Sequence, residues 1–128
     1  MNKEVKELWL KALRSGEYKQ GRNYLEYTDP LYGKKYCCLG VLCDLAVKNG
    51  VICKTDQGRN EIYYETNAGI DNFTNNVLPT KVQNWAEIYS TDGDFNSKEF
   101  VDKTMLTELN DSGKYGFNAI ANIIEENF

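Results

Sequence analysis

Histidine is absent from all 128 residues. That omission removes Ser-His and Cys-His nucleophilic catalysis, and with them the zinc sites that need imidazole. An enzyme built on this chain would have to use carboxylates, tyrosine, lysine or an unassisted thiol. A long apolar run is missing too. Nothing approaches the roughly 18 consecutive apolar residues of a membrane span, so no membrane partner is expected. Positive charge is scarce, with 15 Lys and Arg against 19 Asp and Glu, a net charge of −4 and a pI near 4.9. A duplex nucleic-acid binder needs a basic face to displace counterions, which argues against duplex nucleic acid as a partner. The opening residues Met1-Asn2-Lys3-Glu4 are polar and unlike a signal peptide. A cytoplasmic protein with reduced thiols is the expectation.

What remains is ordinary for a folded chain: 27% charged and 41% hydrophobic residues, enough for one core in a single domain over 1–128. The most apolar stretch is Lys35 to Val47, with charge only at Lys35 and Asp44. From Leu39 onward the apolar residues Leu39, Leu42, Cys43, Ala46 and Val47 keep helical spacing, and Val41 and Leu45 fill the other side. A helix over 39–49, buried nearly all round, is expected at the centre of the fold.

Around it the pattern predicts an α+β domain, a small and mostly antiparallel sheet packed with four to five helices. Residues 3–14 form a helix with Val5, Leu8, Trp9, Ala12 and Leu13 on one face, capped by Asn2 and ended by Ser15-Gly16. Strands are expected at about 23–27 and 34–37, separated by an Asp29-Pro30 and Gly33 turn, and again at 51–53 and 61–65. Thr66 to Asn76 reads as an exposed loop. A helix from Leu78-Pro79-Thr80 would bury Val82, Trp85, Ala86 and Tyr89. Residues 90–97 read as a loop, 99–101 as strand or helix, and 104–109 as a short helix broken at Asn110-Asp111-Ser112-Gly113. The last helix runs from about Gly116 to Glu126, with Phe117, Ile120, Ala121 and Ile124 inward.

Two polar segments carry the candidate chemistry. In Arg14-Ser15-Gly16-Glu17-Tyr18-Lys19-Gln20-Gly21-Arg22, Arg14 and Arg22 offer planar forks for a phosphate or carboxylate. Gln20 offers donor and acceptor, Tyr18 a stacking face, and the glycines allow close approach. The plainer alternative is a helix end and a solvated turn, with both arginines paired to nearby acids. In Leu109 to Phe117, Asn110, Asp111, Ser112 and Lys114 surround a glycine ahead of a helix, a setting that favours anions. Gly113-Lys114 lacks the upstream glycine and strand of a phosphate loop, so no Walker site is present. A capping turn, with Asn110 and Asp111 ending one helix and Ser112 opening the next, is the alternative there.

Cys37, Cys38, Cys43 and Cys53 lack the spaced pairs of a zinc site and read as small buried hydrophobes. Asp92 and Asp94 flank Gly93 without the later glutamate of a calcium loop. No metal or cofactor is expected. Nine tyrosines exceed what packing needs, and some of Tyr18, Tyr24, Tyr63 and Tyr64 are candidates for a pocket or a subunit interface.

Ala12-Leu13-Arg14-Ser15-Gly16 with Tyr18 and Gln20-Gly21-Arg22, then Tyr36 to Leu45, Leu78-Pro79, Trp85-Ala86, and Leu109-Asn110-Asp111 ahead of Phe117 form a recognisable set. In these motifs the chain resembles a family of small proteins carried widely by phages and prophages. The resemblance leaves Lys54 to Asn76 unmatched. It implies a small cytosolic binding protein that sequesters a nucleotide-like immune signal, of cyclic oligonucleotide or cyclic ADP-ribose type, without catalysis and as a homo-oligomer. A protein–protein inhibitor of a host enzyme is the alternative. A small hydrolase using carboxylates and a metal is the third.

Overall fold

In the computed structural model, which describes residues 1–56, 58, 60–65, 73–97, 99–100 and 102–128, the central helix is α2, Cys38–Lys48. Every residue from Cys38 to Asp44 is buried, as the all-round apolar pattern requires. Helix α1 (Lys3–Arg14) packs against α2 and against the last helix, α5 (Phe117–Asn127). Trp9, fully buried, donates its indole N–H to the Cys38 carbonyl at 2.9 Å, which ties α1 to the start of α2. Asn2 caps α1 by accepting from the Val5 amide at 3.1 Å.

The strands form three small antiparallel sheets among the described residues. Strands β1 (Glu26–Asp29) and β2 (Gly33–Tyr36) make a hairpin in which Tyr27 faces Lys35. Strands β3 (Lys54–Asp56), β4 (Ile62–Glu65) and β5 (Phe73–Thr74) pair in the order β3-β4-β5. An isolated bridge between Tyr27 and Glu61 joins the two groups. Helix α3 (Thr80–Ala86) follows, then β6 (Asp94–Phe95) paired with β7 (Thr104–Met105), then α4 (Leu106–Asp111) and α5. This is an α+β fold with five helices among the described residues. No helix among the described residues is long and apolar enough to cross a membrane.

Several expectations shift. Leu8 is 41% exposed and Leu10 is buried in its place. The strand expected at 51–53 forms at Lys54–Asp56. Within the expected loop 66–76, Phe73 and Thr74 pair with β4, while 66–72 lie outside the described residues, as does Val101. Tyr89 is 77% exposed rather than packed, because α3 ends at Glu87 in a left-handed turn. Asp94–Phe95 and Thr104–Met105 pair as strands where a loop and a helix start were expected. Asn110 and Asp111 belong to α4 instead of breaking it. Cys37, Cys38 and Cys43 are buried as expected, but Cys53 is exposed. Cys37 caps α2, accepting from the Gly40 amide at 3.3 Å, so the Cys pair straddles a helix start and not a strand. Burial pushes the Cys37 thiol up to about 12 and raises Cys38 and Cys43 well above their ordinary value.

The one acid in α2, Asp44, is matched by Tyr18 and Lys54 from outside the helix and by Lys48 one turn on. Asp44 accepts from the Tyr18 hydroxyl at 2.6 Å and from Lys54 at 3.1 Å, and Lys48 lies 3.2 Å away. Lys54 also donates to Glu26, a fully buried carboxylate, at 3.0 Å. The Tyr64 hydroxyl donates to the same Glu26 oxygen. Burial alone would raise the Asp44 pKa; hydrogen bonds from Tyr18 and Lys54 and the Lys54 charge outweigh it and hold the carboxyl below its ordinary range. A carboxylate depressed in the folded state contributes stability above its unfolded pKa and loses it as pH falls through the folded value. Glu65, paired with Lys81 at 2.6 Å, is shifted the same way. Urea-unfolding midpoints should therefore hold steady near neutrality and fall as pH drops below about 4–5. Asp44→Asn should flatten part of that fall.

Candidate functional site

The two polar segments singled out in the sequence meet in space. The chain from Lys19 to Gly21 runs beside β2: the Tyr36 amide donates to the Lys19 carbonyl at 2.9 Å, and the Gly21 amide to the Tyr36 carbonyl at 2.7 Å. Gly21 lies so close to the Tyr27 ring and the Lys35 side chain that a Cβ would overlap both. Asn110, 1% exposed, locks this strip to the α4–α5 turn. Its Oδ1 accepts from Gln20 Nε2 at 3.0 Å and from the Cys38 amide at 3.1 Å. Its Nδ2 donates to the Gly21 carbonyl at 2.8 Å and to Asp111 Oδ1 at 3.0 Å. All four bonds of the amide are made. Gln20 donates a second time, to the Tyr115 carbonyl at 2.9 Å, and Asp111 accepts from the Asn23 amide at 3.1 Å.

Arg22 is the product of this scaffold. Its guanidinium lies directly against Gly113, whose φ of 76° and bare Cα leave the space it fills. Ser112 Oγ holds the turn by donating to the Leu109 carbonyl at 2.8 Å and accepting from the Lys114 amide at 3.2 Å. None of the ion pairs among the described residues uses Arg22. Together Gln20 and Arg22 form the wall between two cavities. The smaller, about 200 Å³, also has Asn110, Lys114 and Tyr115 in its lining. The larger, about 580 Å³, opens toward Tyr24, Tyr27, Lys35 and Glu61. Its size lies in the range of small-molecule sites, roughly 300–1,000 Å³.

Not every candidate residue belongs here. Arg14 points to the other side of α1, where its Nη2 donates to Asn122 at 2.8 Å and to Glu125 at 3.0 Å. That is the acid pairing weighed as its alternative. Tyr18 turns its hydroxyl to Asp44 and lines a separate cavity of about 420 Å³ with Tyr32, Tyr36 and Lys48. Tyr64 is core. Asp111 and Asn110 serve as braces, and Ser112 closes the end of α4; the residue that opens α5 is Gly116. Gln20, Arg22 and Lys114 remain as groups that face open space. Sequence reading missed Lys35, Tyr27, Asn60 and Glu61. Lys35 could have been found from the hairpin register, but the Tyr27–Glu61 bridge spans residues with no local signal linking them.

A family model described as "Domain of unknown function (DUF8296)" matches residues 1–128. The chain belongs to the DUF8296 family. No curated protein and no solved structure matches it. In this DUF8296 member, no group of three or more Cys, Asp or Glu side chains among the described residues is arranged to hold a metal ion.

Proposed function

We propose that this DUF8296 protein binds a phosphate-bearing, nucleotide-like small molecule at Arg22 and holds it without turnover. The observation that carries this reading is the position of the Arg22 guanidinium. It is seated on Gly113, outside every ion pair among the described residues, between a basic cleft and a tyrosine-lined cavity. A guanidinium so placed can give paired hydrogen bonds to phosphate oxygens, with Lys114 and Lys35 adding charge on either side. Tyr24 and Tyr27, edge to face at 6.0 Å between centroids, offer π surface for a base. Arginine, lysines, amides and phenols are suited to holding and orienting a ligand. Resemblance to the phage-carried proteins gives such binding its expected use, removal of an immune signal from a host cytoplasm.

A thermal-shift panel of nucleoside phosphates, cyclic dinucleotides and ADP-ribose derivatives tests the reading. A ligand at 100 times its Kd should add about 2.7 kcal/mol of stability and be recovered intact. Arg22→Ala should weaken that ligand by about 1.5–3 kcal/mol, the worth of a charge-assisted hydrogen bond, with the fold unchanged. No shift across the panel, or a shift indifferent to Arg22, would contradict it.

A further inference from the structure

Resting on the nucleotide reading above, we infer that the base of the ligand is guanine, held on Tyr27 and read by the Glu61 carboxylate.

The larger cavity has a lining of mixed sign. Arg22 and Lys35 suit an anion, but Glu61 stands in the same wall and repels one. An acid there weakens phosphate binding unless it meets hydrogen-bond donors on the same ligand. Among the described residues, local charge balance does not account for Glu61 either. None of the ion pairs among the described residues includes it, and Lys35 lies 3.9 Å from Asp29 and 5.1 Å over the Tyr32 ring.

The backbone fixes where the acid stands. Glu61 is the antiparallel bridge partner of Tyr27, and Tyr27 is in turn the partner of Lys35 in the hairpin. Directly paired residues carry their side chains on the same face of a sheet. Lys35, Tyr27 and Glu61 therefore form a row across one face: cation, aromatic ring, anion. The Thr28 amide donates to the Asn60 carbonyl at 2.7 Å and clamps the Asn60–Glu61 segment against β1.

Guanine is polarised to match this row. Its Watson–Crick edge offers N1–H and N2–H₂, two donors that a carboxylate accepts together, and its O6 and N7 are acceptors suited to lysine or arginine. Adenine offers an acceptor at N1 where guanine offers a donor, so it would set a lone pair against the Glu61 oxygens. Cytosine and uracil have less ring to lay on Tyr27. The phosphate then falls to Arg22 at the cavity's wall, with Lys114 beyond it.

Calorimetric titration of the intact protein with GMP, IMP and AMP tests the assignment. GMP should bind at least about tenfold tighter than AMP, as expected for one bidentate base contact, with IMP between them because it lacks the N2 amine. Glu61→Gln should erase most of the GMP preference while AMP binding stays level or improves, because repulsion is relieved. A merely structural role for Glu61 would weaken both ligands alike, and unchanged circular dichroism and melting temperature serve as the fold control. Equal binding of GMP and AMP, or preference for AMP, would overturn the guanine assignment and leave the nucleotide reading standing. Failure of all three, together with a silent nucleotide panel, would overturn both.

Discussion

Gly40→Ala is expected to destabilise the fold by at least about 3 kcal/mol, beyond the usual cost of overpacking, or to prevent cooperative folding. Intrinsic propensity predicts the opposite sign, since alanine inside a helix is favoured over glycine by about 1 kcal/mol. Sterics decide it. A Cβ on Gly40 would overlap the carbonyl of Leu25, a main-chain group and not a flexible side chain. Leu25 cannot easily retreat. Its carbonyl accepts from the Cys37 amide at 3.1 Å, and its amide donates to the Asn75 carbonyl at 2.8 Å. Moving the segment breaks contacts on both sides and shifts Glu26, the next residue. Urea unfolding of the variant measures the effect; a stabilised Gly40→Ala protein would show that α2 and Leu25 are not this close.

Lys54→Met should cost about 3–5 kcal/mol, the range for removing one partner of a buried ion pair. Lys54 is the cation between two acids, Glu26 at 3.0 Å and Asp44 at 3.1 Å, and only 26% of its side chain is exposed. Glu26 has no exposure, and its second oxygen, Oε2, accepts no hydrogen bond among the described residues; Lys34 stands 3.9 Å from it. Without Lys54, the Tyr64 hydroxyl and this distant lysine would be the principal support for a buried charge. The double variant Glu26→Gln, Lys54→Met should recover part of the loss, because the stranded charge is gone. Lys48→Met supplies the contrast. That lysine also touches Asp44, but its side chain is 62% exposed, and its removal should cost no more than about 1 kcal/mol. Comparable urea midpoints for the two single variants would refute a buried-charge origin.

What could be read from the sequence follows the range of the interactions. Helix α1 formed over 3–14 with its Asn2 cap, because spacing and capping are local. Helix α2 was legible from its apolar run, and the hairpin from Asp29-Pro30 and Gly33. The short strands β5, β6 and β7 were missed, since two-residue pairings are fixed by tertiary contact and leave almost no pattern. Asp44 looked like an exception in an apolar helix; its partner Lys54 lies ten residues on, in a strand whose position sequence reading misplaced.

For the site, the polar character of Gln20-Gly21-Arg22 and of the 110–114 turn was visible, but their meeting depends on Asn110, which bonds across about 90 residues of chain. Sequence alone makes Asn110 a cap or a ligand contact, and the structure makes it the brace between the two segments. Arg14 and Arg22 were indistinguishable as residue types. Glu125 on α5 separates them, and no local feature of the Arg14 segment reports it.

Hydrogen exchange read by mass spectrometry, with the tightest-binding nucleotide of the panel at saturation, tests the central claim most directly. The account predicts slowed exchange in the segments covering 20–24, 60–61 and 111–116, where Arg22 and its two cavities lie, and the effect should disappear in Arg22→Ala. Protection confined to other surfaces, such as the cavity around Tyr18 and Lys48, or no protection at all, would contradict it.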